Sequence, residues 1–256
     1  MISDRDGDRT LGLVLSGGGA YGAAHVGVLQ ELEARGIRPG IVAGTSSGAL
    51  VAAACAADVP QDAIERAALA FRWSSIARVT MSPRWGLLDS GALTDAIRRT
   101  LGEIPLIEDL PRRFAAVATD IRTRRPVVID SGPLSVALRA SIAVPGLLPP
   151  VRRHGRVLMD GGMVDNVPVS AARHLGATKV IVVRLHAKWE NVRMMRVASS
   201  AAQLEADRSV LLVQPEMTGM AQWTMADVPR LMQEGRRAAR EALDAETRLP
   251  ATREDS

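Results

Sequence analysis

The chain has 256 residues, 47% apolar and 23% charged, with a formal charge of +4. Those proportions fit one ordinary soluble domain with a single sizeable core. Aromatics make up only 3%, so the core must be built from Ala, Val, Leu, Ile and Met. Lys179 and Lys188 are the only lysines, and arginine carries nearly all the positive charge. No basic stripe is interleaved with aromatics, which argues against nucleic acid. A mildly basic surface does suit anionic lipid headgroups.

Taken in chain order, Met1 to Thr10 alternates Asp and Arg without an apolar segment, and reads as a flexible tail rather than a secretory signal. Leu11 to Ser16 is a short apolar run ending in glycines, as a buried strand should. Ala20 to Arg35 has helical spacing and closes on Gly36. Ile41 to Ala43 is a second strand, and Ser47 to Ala57 a second helix. The apolar run Gly48 to Ala57 is about half the ~20 residues that span a bilayer, so a cytoplasmic protein is expected, able to dock on the inner face of the membrane. Cys55, the only cysteine, rules out an intrachain disulfide and reads as a small buried hydrophobe. Helical patterns cover Gln61 to Phe71, Ser90 to Leu101 and Leu134 to Ala143.

Phe114 to Asp120 and Pro126 to Ile129 flank a polar turn and predict a hairpin, as do Val151 to Arg153 and Arg156 to Met159. Val180 to Leu185 is a late strand. Helices, including Val228 to Leu243, follow from Met194, and 248–256 reads as a second tail. Alternating strands and helices predict an α/β fold, with a mostly parallel central sheet and helices on both faces. The core is expected over 11–185, with 186–247 as a C-terminal helical part of the same domain.

Three segments carry chemistry. Gly17-Gly18-Gly19-Ala20-Tyr21-Gly22 follows a strand and opens a helix, where free amides favour negative charge: a phosphate cradle or an oxyanion hole. A dinucleotide site would want an acid near the end of the second strand, which instead ends in Ala43-Gly44. Gly44-Thr45-Ser46-Ser47-Gly48 is a Gly-x-Ser-x-Gly between strand and helix, the arrangement of a nucleophile elbow, with a helix-capping turn as the plain alternative. Met159-Asp160-Gly161-Gly162 delivers an aspartate from a strand into a glycine pair, a turn by itself, with Asp165 as a rival acid. None of His25, His154, His174 and His186 sits in a recognisable triad context.

These three segments, in this order, resemble the patatin-like phospholipase family, small bacterial single-domain members above all, and the resemblance runs from about Leu11 to about Leu185. It implies a three-layer α/β/α fold and a serine acyl hydrolase. Ser46 would be the nucleophile and Asp160 its base, with Gly17, Gly18, Gly19 and Gly22 forming the oxyanion hole. Gly44, Gly48, Gly161 and Gly162 would support the motifs. Ala140 to Gly146, followed by Leu147-Leu148-Pro149-Pro150, is a further family-like stretch that would shape the approach to the site. The family usually carries Arg or Lys where this chain has Tyr21, and a phenol replaces neither that charge nor its several donors.

The resemblance implies a lipid acyl ester as substrate, phospholipid or lysophospholipid. Soluble thioesters or small esters, or a non-catalytic regulatory role, are the alternatives. No metal-ligand spacing is present and no cofactor is called for, so activity is expected to survive chelators. A carboxylate of ordinary pKa near 4 is a weak base for an alcohol, which places most of the expected catalysis on positioning and the oxyanion hole. The segments around Trp73 and from Met81 to Trp85 read either as an apolar mouth touching membrane or as packing. Met194, Met195 and Trp223 read as packing.

Overall fold

The computed structural model describes residues 7–72, 78–79, 88–89, 91–101, 105–185, 201–222 and 224–248. A short helix, α1 (Gly7–Thr10), leads into β1 (Leu11–Leu15). A 3-10 turn over Gly19–Gly22 opens α2 (Ala23–Ala34), followed by β2 (Ile41–Thr45), α3 (Ser47–Ala56) and α4 (Gln61–Ala70). β3 (Arg78–Val79) and β4 (Leu88–Asp89) pair as a separate ribbon before α5 (Gly91–Leu101). Then come β5 (Arg113–Asp120), β6 (Arg125–Ile129), α6 (Leu134–Ser141), β7 (Val151–Arg153) and β8 (Arg156–Asp160). α7 (Val169–His174), β9 (Lys179–Val183), α8 (Ala201–Ala206), β10 (Val210–Val213) and α9 (Val228–Arg248) complete the chain.

Eight strands form one mixed sheet in the order β10-β9-β1-β2-β5-β8-β7, with β6 also on β5. The run β10-β9-β1-β2-β5 is parallel, and β6, β7 and β8 add antiparallel pairs. Alternate residues feed two cores, as the pleat requires. Leu11, Leu13, Leu15, Val42 and Ile181 pack with α2, α3, α6 and α9, whereas Val14, Ala43, Val180 and Val182 pack with α7 and Leu204 of α8. Helices therefore cover both faces.

The pairing of β5 positions the site. One edge of β5 pairs with β6 over Ala116–Asp120. On the other edge Arg113–Val117 pairs with β2 and Ala118–Asp120 with β8, which runs the opposite way. Thr45 lies opposite Val117 and Asp160 opposite Ala118. The carboxyl ends of β2 and β8 thus meet head to head, and residues more than a hundred positions apart become neighbours.

Helix α2, which starts from the glycine-rich turn, is clamped by α9. A Cβ on Gly27 would lie 1.8 Å from Met232 O, and one on Gly235 would lie 1.9 Å from Ala24 O, so only glycine permits this approach. Glu31 adds a charge cluster to the same contact. Burial alone would raise its pKa, but hydrogen bonds from Arg240, Arg35 and Arg236 hold it down to about 2.

The structure departs from the sequence reading at the ends. Gly7–Thr10 is helical where a tail was expected, and Thr10 O accepts from Thr178 N. The C-terminal part is not purely helical, because Val210–Val213 joins the parallel edge of the sheet. Helix α9 continues past Leu243 to Arg248. Phe71 packs against the core and Cys55 is buried, while Trp73, Met81 to Trp85, His186, Met194, Met195 and Trp223 lie outside the described residues.

Candidate active site

Ser46 occupies the single-residue turn between β2 and α3, at φ 54 and ψ −124. L-residues rarely adopt this conformation, which stores on the order of 1–3 kcal/mol of strain. The surroundings hold it there. Ser46 N donates to Ser141 Oγ at 2.9 Å, and Ser141 Oγ donates to Val117 O at 2.7 Å. Ser46 O in turn accepts from Ala49 N at 2.9 Å. The motif glycines are steric requirements: a Cβ on Gly44 would lie 2.6 Å from the Gly48 carbonyl, and one on Gly48 would lie 2.2 Å from Leu15 O.

Asp160 ends β8 directly across from this turn and is only 4% exposed. Its carbonyl accepts from Thr119 Oγ1 at 2.9 Å, and its Oδ1 accepts from Gly162 N at 2.8 Å. Burial raises its pKa to about 6, with the Ser46 hydroxyl and the Gly162 amide pulling the other way. Oδ2 is buried and has no partner of standard hydrogen-bond geometry among the described residues. The Ser46 hydroxyl is near enough to lower the Asp160 pKa, yet makes no hydrogen bond of standard geometry to that carboxylate. Gly161 must be glycine, since a Cβ would lie 2.3 Å from Val117 O, and Gly162 packs its α-carbon face against Oδ1 of Asp160. The rival acid Asp165 is also buried and raised to about 6, but its Oδ2 accepts from Ser170 Oγ of α7 at 3.3 Å. Its backbone, not its carboxylate, meets the elbow strand, through Thr45 Oγ1 at 3.0 Å.

The four glycines expected in one oxyanion hole divide into two kinds. Gly17 N is already spent on Asn166 O at 3.2 Å, and a Cβ there would lie 3.2 Å from Ser46 Cβ, so Gly17 serves close approach rather than donation. Gly22 lies inside the 3-10 turn and packs on Ser47, 2.6 Å from an added Cβ. The amides of Gly18 and Gly19 donate to no group among the described residues. Gly19 has φ 62 and alone of Gly17–Gly22 is not buried. Two unspent donors beside a serine turn can hold a developing oxyanion.

Tyr21 is 1% exposed, and its hydroxyl donates to Met220 O at 3.0 Å while Ala20 N donates to Gln222 O at 2.9 Å. The segment 217–222 thus braces the glycine-rich turn through a phenol and a backbone amide. His25 is fully buried and donates from Nε2 to Ser16 O at 2.7 Å; burial lowers its pKa to about 4 and keeps it neutral. His174 pairs with Asp130 on the surface and His154 sits in the β7–β8 turn, so no described histidine is hydrogen-bonded to Ser46. Ser141 and Asn166 are the residues that the sequence reading did not single out. Ser141 lies within the quoted Ala140 to Gly146 stretch, and Asn166, whose Nδ2 donates to Gly17 O at 3.3 Å, follows Asp165 directly. Among the described residues no cluster of three His, Cys, Asp or Glu could hold a metal ion, and no helix is long and apolar enough to cross a membrane.

Comparison with known proteins agrees with this architecture. An uncharacterised NTE family protein of Mycobacterium tuberculosis is 31% identical over 97% of this chain and 49% of its own length. A patatin-like phospholipase domain-containing protein of Caenorhabditis elegans is 42% identical over 67% of this chain and 13% of its own length. The chain spans about half the length, or less, of these relatives. Among solved structures, VipD from Legionella pneumophila shares the fold with a TM-score of 0.63 at 14% identity, covering 95% of this chain and 69% of that one. The type III effector ExoU aligns with a TM-score of 0.51 at 14% identity, over 92% of this chain and 53% of that one. The sequence profile of the patatin-like phospholipases matches residues 13–173. The chain therefore belongs to the patatin-like phospholipase family.

Proposed function

We propose that the protein is a serine acyl hydrolase with a Ser46–Asp160 dyad, acting on lipid acyl esters of the phospholipid or lysophospholipid class. The observation that carries this reading is the head-to-head meeting of β2 and β8 on one edge of β5, which sets a strained serine against a buried carboxylate. Asp160 takes the Ser46 proton as Ser46 Oγ attacks the ester carbonyl. The amides of Gly18 and Gly19 receive the oxyanion, a contribution on the order of a few kcal/mol per donor. As the adduct collapses, Asp160 hands that proton to the leaving oxygen and the alcohol departs. Water then attacks the acyl enzyme as Asp160 takes a proton from it, and Asp160 returns that proton to Ser46 Oγ as the acid leaves.

Burial changes the weight of the base in this scheme. At a pKa of about 6, Asp160 is a stronger proton acceptor than an ordinary carboxylate, and its operating point lies closer to neutral pH. The test is hydrolysis of a panel of phospholipids, lysophospholipids, thioesters and short esters by the wild type beside Ser46→Ala. Lipid esters turned over by the wild type alone are expected. A preference for soluble thioesters would move the substrate class, and turnover retained in Ser46→Ala would end the proposal.

A further inference from the structure

Beyond the site, two hairpin tips form a surface that the chemistry above does not use. Strand β8 descends from its tip at Arg156 to Asp160, four residues or about 13 Å along the strand. Register places the β5–β6 tip beside it. Asp120 pairs with Leu158, Ile121 N donates to Val157 O at 3.1 Å, and Arg153 pairs with Arg156 across the β7–β8 turn. The four strands β7-β8-β5-β6 therefore project as one antiparallel flap past the end of the parallel sheet. That is the end at which Ser46 lies, and where ligands enter open α/β sheets.

The flap tip carries Arg122, Arg124, Arg125, Arg152, Arg153 and Arg156, with no acid between 121 and 125 or between 152 and 156. All but Arg153 are exposed. Arg153 donates to Ser131 O, the amide and then the charge of Arg122 help hold the Asp120 carboxyl below its ordinary value, and none of the six forms a direct ion pair among the described residues. Several arginines elsewhere are tied down: Arg112 to Asp58, Arg237 to Glu234 and Glu241, and Arg236 and Arg240 to Glu31. The nearest acid, Asp120, is 3% exposed and accepts from Arg122 N. Ile121, 40% exposed and one of three exposed large hydrophobics among the described residues, stands in the same tip.

We infer that this arginine flap docks the protein on anionic lipid bilayers and brings the Ser46 end to the membrane surface. Exposed guanidinium groups around one apolar side chain match a negatively charged interface with an apolar layer beneath it. Each arginine near such a surface strengthens partitioning roughly fivefold, and salt screens the effect. The inference rests on the lipid-hydrolase reading for its consequence, delivery of substrate, and not for the binding itself.

The test is sedimentation of the full chain with vesicles of phosphatidylcholine alone or with phosphatidylglycerol, comparing wild type with Arg122→Gln/Arg152→Gln/Arg156→Gln. The wild type is expected to bind the anionic vesicles and be released by salt, and the variant to lose roughly a hundredfold in partitioning. Hydrolysis of a soluble short-chain ester is expected to be equal in both proteins, which also reports that the variant is folded. The matching triple lysine variant should retain binding, since point charges suffice. Equal partitioning of the glutamine variant and the wild type, or equal wild-type binding to neutral vesicles, would overturn the inference. Soluble ester turnover that persists in Ser46→Ala would instead sink the functional reading and leave the vesicle result standing.

Discussion

Ser46 is held at φ 54 and ψ −124 by its neighbours, and that backbone strain separates its structural cost from its chemical role. Ser46→Gly and Ser46→Ala both remove the hydroxyl, and both should lower turnover by about a thousandfold or more. Only the glycine relieves the strain, so Ser46→Gly should be more stable than Ser46→Ala by about 1 kcal/mol, read from denaturant midpoints. Equal stability of the two would contradict the account of the elbow. Asp160 makes a second prediction. Its folded pKa is raised to about 6, so the folded state holds a proton that the unfolded chain has already released. Between the ordinary aspartate value and about 6, stability therefore falls as pH rises, and above 6 the penalty is complete. Asp160→Asn should lose activity yet gain up to about 2–3 kcal/mol on the wild type between pH 4 and pH 7, with Asp165 common to both proteins. In the wild type, kcat/KM should rise through an apparent pKa near 6, and a midpoint near 4 would show that burial does not tune the base.

Ser141 ends helix α6 and connects three elements, because its Oγ accepts from Ser46 N and donates to Val117 O. Ser141→Ala leaves the elbow amide without its partner, and kcat should fall about 10–100-fold with KM little changed. A rise in KM at constant kcat would argue that α6 shapes substrate binding instead. The elements themselves were largely legible in the sequence. Strands such as Leu11–Leu15 are continuous apolar runs, and both hairpins announce themselves through polar turns. Ser46 was marked by its Gly-x-Ser-x-Gly motif, whereas Asp160, a turn residue by itself, was singled out only by the resemblance to the patatin-like phospholipases; the crowding that demands glycine at 44, 48 and 161 shows only in the structure. How the two elements meet was not legible, since pairing of β2 and β8 on one edge of β5 is a long-range choice that no local pattern encodes. The division of labour within Gly17–Gly22 was hidden for the same reason: which amide is spent depends on Asn166, far along the chain. Strand β10 escaped notice because it is short and half-exposed at a sheet edge, with no clean alternation.

At the scale of the whole molecule, the glycine-rich turn, α2, α9 and the segment 217–222 form one braced unit behind the site. Gly27→Ala should drive a methyl into the α9 backbone and cost about 3 kcal/mol or more, lowering Tm by roughly 2–4 °C per kcal/mol. Tolerance of that change without loss of stability would mean that the α2–α9 approach is looser than described. The same unit carries the turn that holds the Gly18 and Gly19 amides, so on the proposed mechanism activity should fall with it. The proposed mechanism turns on one covalent event, acylation of Ser46, and that event can be weighed directly. Rapid quenching of the protein with an activated lipid ester, followed by intact and peptide mass measurement, should find one acyl group on the peptide containing Ser46 and none in Ser46→Ala. An acyl group on any other residue, or catalytic turnover in Ser46→Ala, would contradict the account.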